Sequence, residues 1–317
     1  MQRLSIIVPL RGNLKQLEDT LVSVLENQPE QSEVVVVLNE PYDDPYELRG
    51  EVKFVEAPPR ASLVDCIASG LTASSAPIVH TIAAGFEATP GWADAALARF
   101  TEPDIAAVAP VVVDRSDPDR ILSAGLCYTS AGSIGRIAAG EGRGRFVAND
   151  GVLCGPELAV AFYRRDVLQA VANLQHYRAD LAAATDLALA IREAGYRLVQ
   201  EPACVTTATG ELLASAGAWH EGIAGERLFL RWRAVPGWSR SATAHALLMA
   251  GECMQLPLRP SNLLRLAGRL CARLGLGSPR RVAIDPAVTS AQKEAVIRPP
   301  HFSAAEARPA LQSRAAG

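Results

Sequence analysis

The sequence lacks the features that mark several common protein classes. Its six cysteines form no C-x-x-C pair and have no histidine pair nearby, which excludes a structural zinc site of the usual kind. Six cysteines in 317 residues are too sparse for a disulfide framework, so we expect free thiols in a reducing compartment. No apolar run reaches the ~18–20 residues that cross a bilayer. No charged segment precedes an apolar core at the first residues, so we expect no signal peptide and a cytoplasmic location.

Aromatic residues are also few, at 5% of the chain, and no basic cluster is interleaved with them. Nucleic-acid binding is therefore excluded as a main function. The net charge of -3 hides an asymmetry, because residues 227–317 contain fourteen Lys/Arg and only four Asp/Glu. That part carries +10 and residues 1–226 carry -13. The basic C-terminal part is expected to meet an anionic partner or membrane surface.

The sequence does contain a regular alternation of apolar strands and amphipathic helices. Strand, helix and strand with apolar strands predict a parallel sheet with both faces covered. The predicted strands are residues 4–9, 33–38, 52–56, 78–82, 105–113 and 196–199. The predicted helices are residues 13–27, 62–73, 92–100, 181–194, 217–232, 241–251 and 262–275. Residues 129–151, rich in Gly and Ala, are interpreted as a mobile loop.

Two runs carry most of the specific information. The first is Ile78 to Trp92, a buried strand and a turn followed by Thr-Pro-Gly-Trp. Thr89 is predicted to cap the next helix, with Pro90 at its first position. The carboxyl end of such a strand is where α/β sheets hold ligands. The second run is residues 185–197, which contain most of the helix predicted at 181–194 and the turn Ala-Gly-Tyr-Arg at 194–197.

Together these runs resemble the family 2 glycosyltransferases, which have the GT-A fold. The resemblance implies an α/β, GT-A-like domain with a mostly parallel sheet over residues 1–235. A basic helical appendage would follow at 236–277 and a disordered tail at 278–317. The implied activity is transfer of a sugar from a nucleotide-sugar donor to a glycan or lipid acceptor, by a weak or metal-independent route. The alternative is a catalytically inactive relative that binds a nucleotide, a glycan or a protein partner.

The resemblance also implies site positions. In the family an Asp-x-Asp turn holds Mn²⁺ or Mg²⁺ against the diphosphate, and here Ala83 and Gly85 occupy those positions. The family's Glu-Asp pair, which includes the general base, falls on Ala183 and Ala184. The implied nucleotide-binding residues are Pro9, Arg11, Asn39, Glu40, Ala83 and Gly85.

Several residues keep two interpretations at this stage. Glu87 is either a substitute metal ligand or an exposed residue before a helix, and Asp186 is either a displaced base or an ion-paired helix residue. Asn39 and Glu40 suit a nucleotide contact or a simple turn. An arginine stripe in the 262–275 helix is either a solvated face or a contact with anionic lipid at the inner face of a membrane. Its members are Arg265, Arg269 and Arg273. A third interpretation is an unrelated, doubly wound nucleotide-binding protein. The sequence contains no phosphate-loop fingerprint that would support it.

Overall fold

A computed structural model describes residues 3–10, 12–59, 61–171, 179–209, 217–232 and 242–275. Its strands are β1 Leu4–Pro9, β2 Ser32–Leu38, β3 Lys53–Glu56, β4 Ile78–Ile82, β5 Glu87–Ala88, β6 Ile105–Asp114, β7 Ile121–Ser123, β8 Leu126–Tyr128, β9 Ile134–Arg136, β10 Val160–Arg164 and β11 Arg197–Ala208. Its helices are α1 Leu14–Glu26, α2 Leu63–Ala73, α3 Trp92–Arg99, α4 Arg165–Val171, α5 Asp180–Glu193, α6 Ala218–Trp232, α7 Ala242–Met254 and α8 Ser261–Arg273.

One large sheet organises the chain. Its strands are hydrogen-bonded in the order β3-β2-β1-β4-β10-β6-β11-β5, and β7 pairs with β6. The pairs among β1, β2, β3 and β4 are parallel, and so is the β6–β11 pair. The β10 strand is antiparallel to both β4 and β6, so those two run in the same direction. The predicted mostly parallel sheet flanked by helices is confirmed.

The sheet is covered on both faces. Every residue of β1 and of β4 is buried, which an alternating strand achieves only when helices or loops pack on both sides. On one side α2 comes very close to β1 and β2. A Cβ atom at Gly70 would lie 2.4 Å from Cγ2 of Ile7, so this position requires glycine. The close approach fixes α2, and with it the polypeptide that leads into β4.

The prediction that Thr89 caps α3 is wrong. The helix begins at Trp92, and its N-cap is Gly91, whose φ of 70° lies in the left-handed region that suits glycine. The Thr89 hydroxyl instead donates to the carbonyl oxygen of Val205, at 2.8 Å. The Thr89 side chain therefore hydrogen-bonds to β11, more than a hundred residues away, and does not cap the helix that follows it in sequence.

Two further predictions need correction. The predicted loop at residues 129–151 contains β9, which pairs with β8 in a separate two-stranded sheet. The strand predicted at 196–199 continues through Pro202 to Ala208, with a register shift between Glu201 and Val205. The predicted tail at 278–317 lies outside the described residues, and the domain boundaries stay predictions. Among the described helices, none combines the length and apolarity that crossing a bilayer requires.

The C-terminal helices are joined to the sheet domain through α6, which packs against both α5 and α8. Where α6 and α8 cross, their backbones nearly touch at two glycines. A Cβ atom at Gly222 would lie 2.0 Å from the Arg265 carbonyl oxygen, and one at Gly268 would lie 2.4 Å from that of Trp219. Neither obstacle is a side chain that could rotate away, so the crossing tolerates only glycine.

We expect Gly268→Ala to destabilise the protein, because its Cβ would force two backbones apart. Overpacking of this kind costs about 2 kcal/mol and should lower the thermal midpoint by roughly 4–8 °C. The matched control is Gly251→Ala in α7, where nothing lies within 4 Å of the new Cβ. Thermal unfolding followed by circular dichroism compares the two, and an equal midpoint for both variants would contradict the inferred crossing.

A histidine lies at the centre of the sheet. The His80 ring stacks on Phe162 with 3.9 Å between ring centroids, and Trp92 packs beside it at 4.5 Å. Its Nδ1 lies 3.0 Å from the carbonyl oxygen of Ala161, so Nδ1 carries the proton and donates. Burial lowers the pKa of His80 to about 3, despite this hydrogen bond. His80 is therefore a neutral core residue.

The same burial predicts a pH dependence of stability. Between a pKa of about 3 in the folded chain and ~6.5 in the unfolded chain, only the unfolded chain binds the proton, so acid favours unfolding. From about pH 7 to pH 5.5 the free energy of unfolding should fall by about 1 kcal/mol through this residue. Urea unfolding at both pH values should show a shallower dependence for His80→Gln, and an unchanged dependence would refute the assignment.

Candidate functional site

The turn after β4 is the position at which the resemblance places the metal-binding carboxylates. Ala83 and Ala84 have no exposed surface. The Ala83 N–H donates to the Ala159 carbonyl oxygen at 2.8 Å, and the Ala84 N–H donates to that of Pro9 at 3.0 Å. The turn is thus hydrogen-bonded to β1 on one side and to the residue before β10 on the other. The backbone N–H groups of Ala83, Ala84 and Gly85 all donate within the protein.

A threonine from α1 closes the third side of this turn. The buried Thr20 hydroxyl donates to the Phe86 carbonyl oxygen at 2.7 Å and accepts the Gly85 N–H at 2.8 Å. Gly85 has a φ of 96°, in the left-handed region that other residues rarely adopt. An aspartate at position 85 would be strained in this backbone conformation. The backbone of this turn therefore favours glycine at position 85.

The other nucleotide-binding candidates lie along the same edge of the sheet. The Leu10 N–H donates to the Val37 carbonyl oxygen, so the chain after Pro9 runs beside the carboxyl end of β2. Asn39, half-buried, and Glu40, exposed, follow directly from that end. The edge therefore brings together Pro9, Asn39, Glu40 and the 83–85 turn. Arg11 lies outside the described residues.

Asp186 is held inside the protein. Its Oδ1 accepts a hydrogen bond from the Trp232 indole N–H at 2.6 Å, and its Oδ2 pairs with an Arg231 guanidinium nitrogen at 2.7 Å. Both partners belong to α6, whereas Asp186 belongs to α5. The neighbouring Ala183 and Ala184 are buried as well. This carboxylate joins two helices, which matches the ion-paired interpretation of Asp186.

Comparisons of the sequence and of the structure give different results. No family model and no curated protein matches the sequence. The structure is similar to that of the S. aureus TarS fragment 1–349, with a TM-score of 0.54 and 12% identity over 86% of this chain and 81% of the other. It is also similar to GalNAc-T7 crystallised with UDP, GalNAc and Mn²⁺, with a TM-score of 0.51 and 13% identity over 65% of this chain. The chain has a GT-A-like fold.

The similarity to these structures establishes the GT-A-like fold. The chemistry of the site has to be argued from the residues of this chain. The matched region spans 43% of the GalNAc-T7 chain. In this GT-A-like sheet the carboxyl ends of β1, β2 and β4 share one edge, which is the side of an open α/β sheet where ligands bind.

The residues present do not fit a divalent cation in the GT-A-like site. Mn²⁺ and Mg²⁺ require oxygen ligands, which Ala83 and Gly85 do not supply from their side chains. Glu87 forms an ion pair with Arg115 and accepts a hydrogen bond from the Thr207 hydroxyl at 3.2 Å. Among the described residues, no group of three or more His, Cys, Asp or Glu is arranged to hold a metal.

A pocket of about 300 Å³ opens where α5, α6 and α8 meet the turn between β8 and β9. It reaches Ala182, one residue before the position that the resemblance assigns to the Glu-Asp pair. Its charged lining consists of two glutamate–arginine pairs. Arg265 pairs with Glu221 at 2.8 Å, and Arg269 makes two hydrogen bonds to Glu252 at 3.0 and 3.1 Å. The wall offers both hydrogen-bond donors and acceptors.

Each arginine of the α8 stripe is paired with a glutamate of α6 or α7, and Arg269 is buried. Glu226 of α6 has no exposed surface and lies within ion-pair distance of three groups. They are His245 Nε2 at 2.9 Å, an Arg269 nitrogen at 3.7 Å and Arg273 Nε. The stripe is therefore not a fully solvated face, although Arg273 keeps 44% of its side chain exposed. Only the four-residue spacing of the arginines signalled the cluster, and their acidic partners lie on other helices.

We expect Asp186→Asn to lower stability, because the substitution removes the charge opposite Arg231 and turns one oxygen into a second donor. The expected loss is about 1–3 kcal/mol. The control is Glu193→Gln, which changes an exposed carboxylate on the same helix and should be neutral. Urea unfolding measures both, and an Asp186→Asn variant as stable as the control would contradict a structural role.

Proposed function

We propose that this chain is a catalytically silent, glycosyltransferase-like protein that binds a nucleotide or nucleotide-sugar at the edge formed by β1, β2 and β4. The observation that carries the proposal is the turn at 83–85, which has no carboxylate and donates all three of its backbone N–H groups within the protein. The fold supports the binding half of the proposal. The side chains support the loss of the usual transfer chemistry.

Metal-assisted sugar transfer needs a cation to neutralise the departing diphosphate and a base to take the acceptor's proton. Ala83 and Gly85, at the positions that the resemblance assigns to the cation, do not fit one. Ala183 and Ala184, at the positions assigned to the Glu-Asp pair with the base, are buried alanines. GalNAc-T7, of similar fold, was crystallised with UDP and Mn²⁺. We infer that this chain shares the nucleotide part of that arrangement through Asn39 and Glu40, without the metal.

A second candidate is metal-independent sugar transfer to a glycan or lipid acceptor. The pocket beside α5 favours it, because it lies next to the positions of the usual base and presents charged donors and acceptors. Those charges are already paired with one another. Their availability to a diphosphate or an acceptor hydroxyl is therefore lower than that of free side chains, and the silent form remains our proposal.

Calorimetric titration with UDP, GDP and their sugar conjugates tests the proposal, with and without Mn²⁺. We expect binding that Mn²⁺ does not strengthen, and no hydrolysis of the conjugate in a coupled phosphate assay. The double variant Asn39→Ala/Glu40→Ala should weaken binding about fivefold or more, the effect of losing one or two hydrogen bonds. Glu30→Ala, an exposed change between α1 and β2 at the opposite edge, should leave affinity unchanged.

The outcomes separate the candidates. Turnover that does not depend on Mn²⁺ would overturn the silent form in favour of the second candidate. Mn²⁺-dependent turnover would overturn both and show that carboxylates are recruited from elsewhere. If none of the nucleotides tested binds, the proposal of a nucleotide site is itself wrong.

A further inference from the structure

The two C-terminal helices turn their apolar side chains outward. Six leucines and one methionine of α7, the segment after it, α8 and the residue that follows α8 are each more than half exposed to solvent. They are Leu247, Met254, Leu258, Leu263, Leu264, Leu270 and Leu274. We call this set the leucine face. Single exposed apolar residues need no explanation, but so many on two adjacent helices mark an interaction surface.

The charges around the leucine face have one sign. Residues 242–275 contain a single acidic residue, Glu252, and it is largely buried in its pair with Arg269. Arg259 is exposed in the segment that joins the helices, and Arg273 is 44% exposed at the end of α8. We call Arg259 and Arg273 the basic rim of the leucine face. Residues 242–275 thus present cations and no free carboxylate, while residues 1–226 carry a net charge of -13.

We propose that the leucine face docks on the surface of a bilayer that contains anionic lipid, with α7 and α8 lying in the plane of the interface. Leucines on an amphipathic helix enter the boundary between headgroups and acyl chains, and cations beside them contact the headgroups. The acidic remainder of the chain is repelled by the same surface, which orients the sheet domain away from the membrane. The inference does not depend on the proposed nucleotide site.

Charge argues for lipid over two other occupants. In a symmetric contact with a second copy, the basic rim would meet an identical basic rim, which is unfavourable. Residues 276–317 contain six Lys/Arg and three Asp/Glu, so this following segment also carries the sign of the rim. An anionic headgroup layer supplies the opposite charge and an apolar layer together.

Vesicle flotation with the full chain tests the proposal. The vesicles contain phosphatidylcholine with about one third phosphatidylglycerol, or phosphatidylcholine alone. We expect flotation with the anionic vesicles, weakening as salt is raised because the headgroup attraction is screened. The triple variant Leu263→Gln/Leu270→Gln/Leu274→Gln should partition at least tenfold less. The matched triple variant Val22→Gln/Val147→Gln/Val152→Gln changes three exposed valines elsewhere and should float like the unmodified chain.

Three further measurements keep the outcome decisive. Thermal unfolding must give the same midpoint for both triple variants, because all six positions are exposed. Arg259→Gln provides a mild second variant, expected to weaken binding to anionic vesicles only. Failure of the unmodified chain to float, or equal flotation of the two triple variants, overturns the proposal. A dimer seen by light scattering that the leucine variant converts to a monomer also overturns it and assigns the face to a second copy.

Discussion

The arrangement of the C-terminal half depends on one buried carboxylate. Glu226 has no exposed surface, and a charge in that position is stable only when cations surround it. Arg269 and Arg273 of α8 supply the cations, and His245 Nε2 of α7 lies 2.9 Å from the same carboxylate. Because the arginines recur every four residues, drawing them toward Glu226 fixes the rotation of α8. The leucines on its other side are then left facing outward.

The sheet domain shows a comparable constraint at its ligand-binding edge. Thr20 of α1 bonds to both sides of Gly85, so the turn after β4 cannot open without breaking contacts with a helix. An edge that holds a diphosphate through a metal needs carboxylates pointing out of the sheet. Here the turn points its backbone inward. The GT-A-like fold of this chain is thus combined with a turn whose side chains carry no carboxylate.

Much of the fold could be predicted from local pattern. The spacing of leucines located α1 and α5 to within a residue or two, and β-branched runs located β2 and β4. These features depend on neighbours in sequence, so the sequence alone contains the information. The assignment of the family's metal-binding positions to 83 and 85, made from the resemblance, stays a prediction.

The remainder depends on distant partners. Thr89 fails as a cap because Val205 takes its hydroxyl, and β9 was missed because its pairing with β8 stabilises a segment of weak strand propensity. The direction of the arginines was unpredictable, since the glutamates that attract them lie on two other helices. The placement of Asp186 depended on Arg231 and Trp232 in the same way. In each case the deciding interaction joins residues far apart in the chain.

The glycine crossing of α6 and α8 has a mechanical consequence. With backbones touching at Gly222 and Gly268, α8 can neither slide nor roll on α6 without a clash. Asp186 ties α6 in turn to α5, whose first turn borders the pocket. A displacement of α8 is therefore expected to move α6 and α5 with it. The pocket beside α5 is therefore bordered by helices that are held to one another by close contacts.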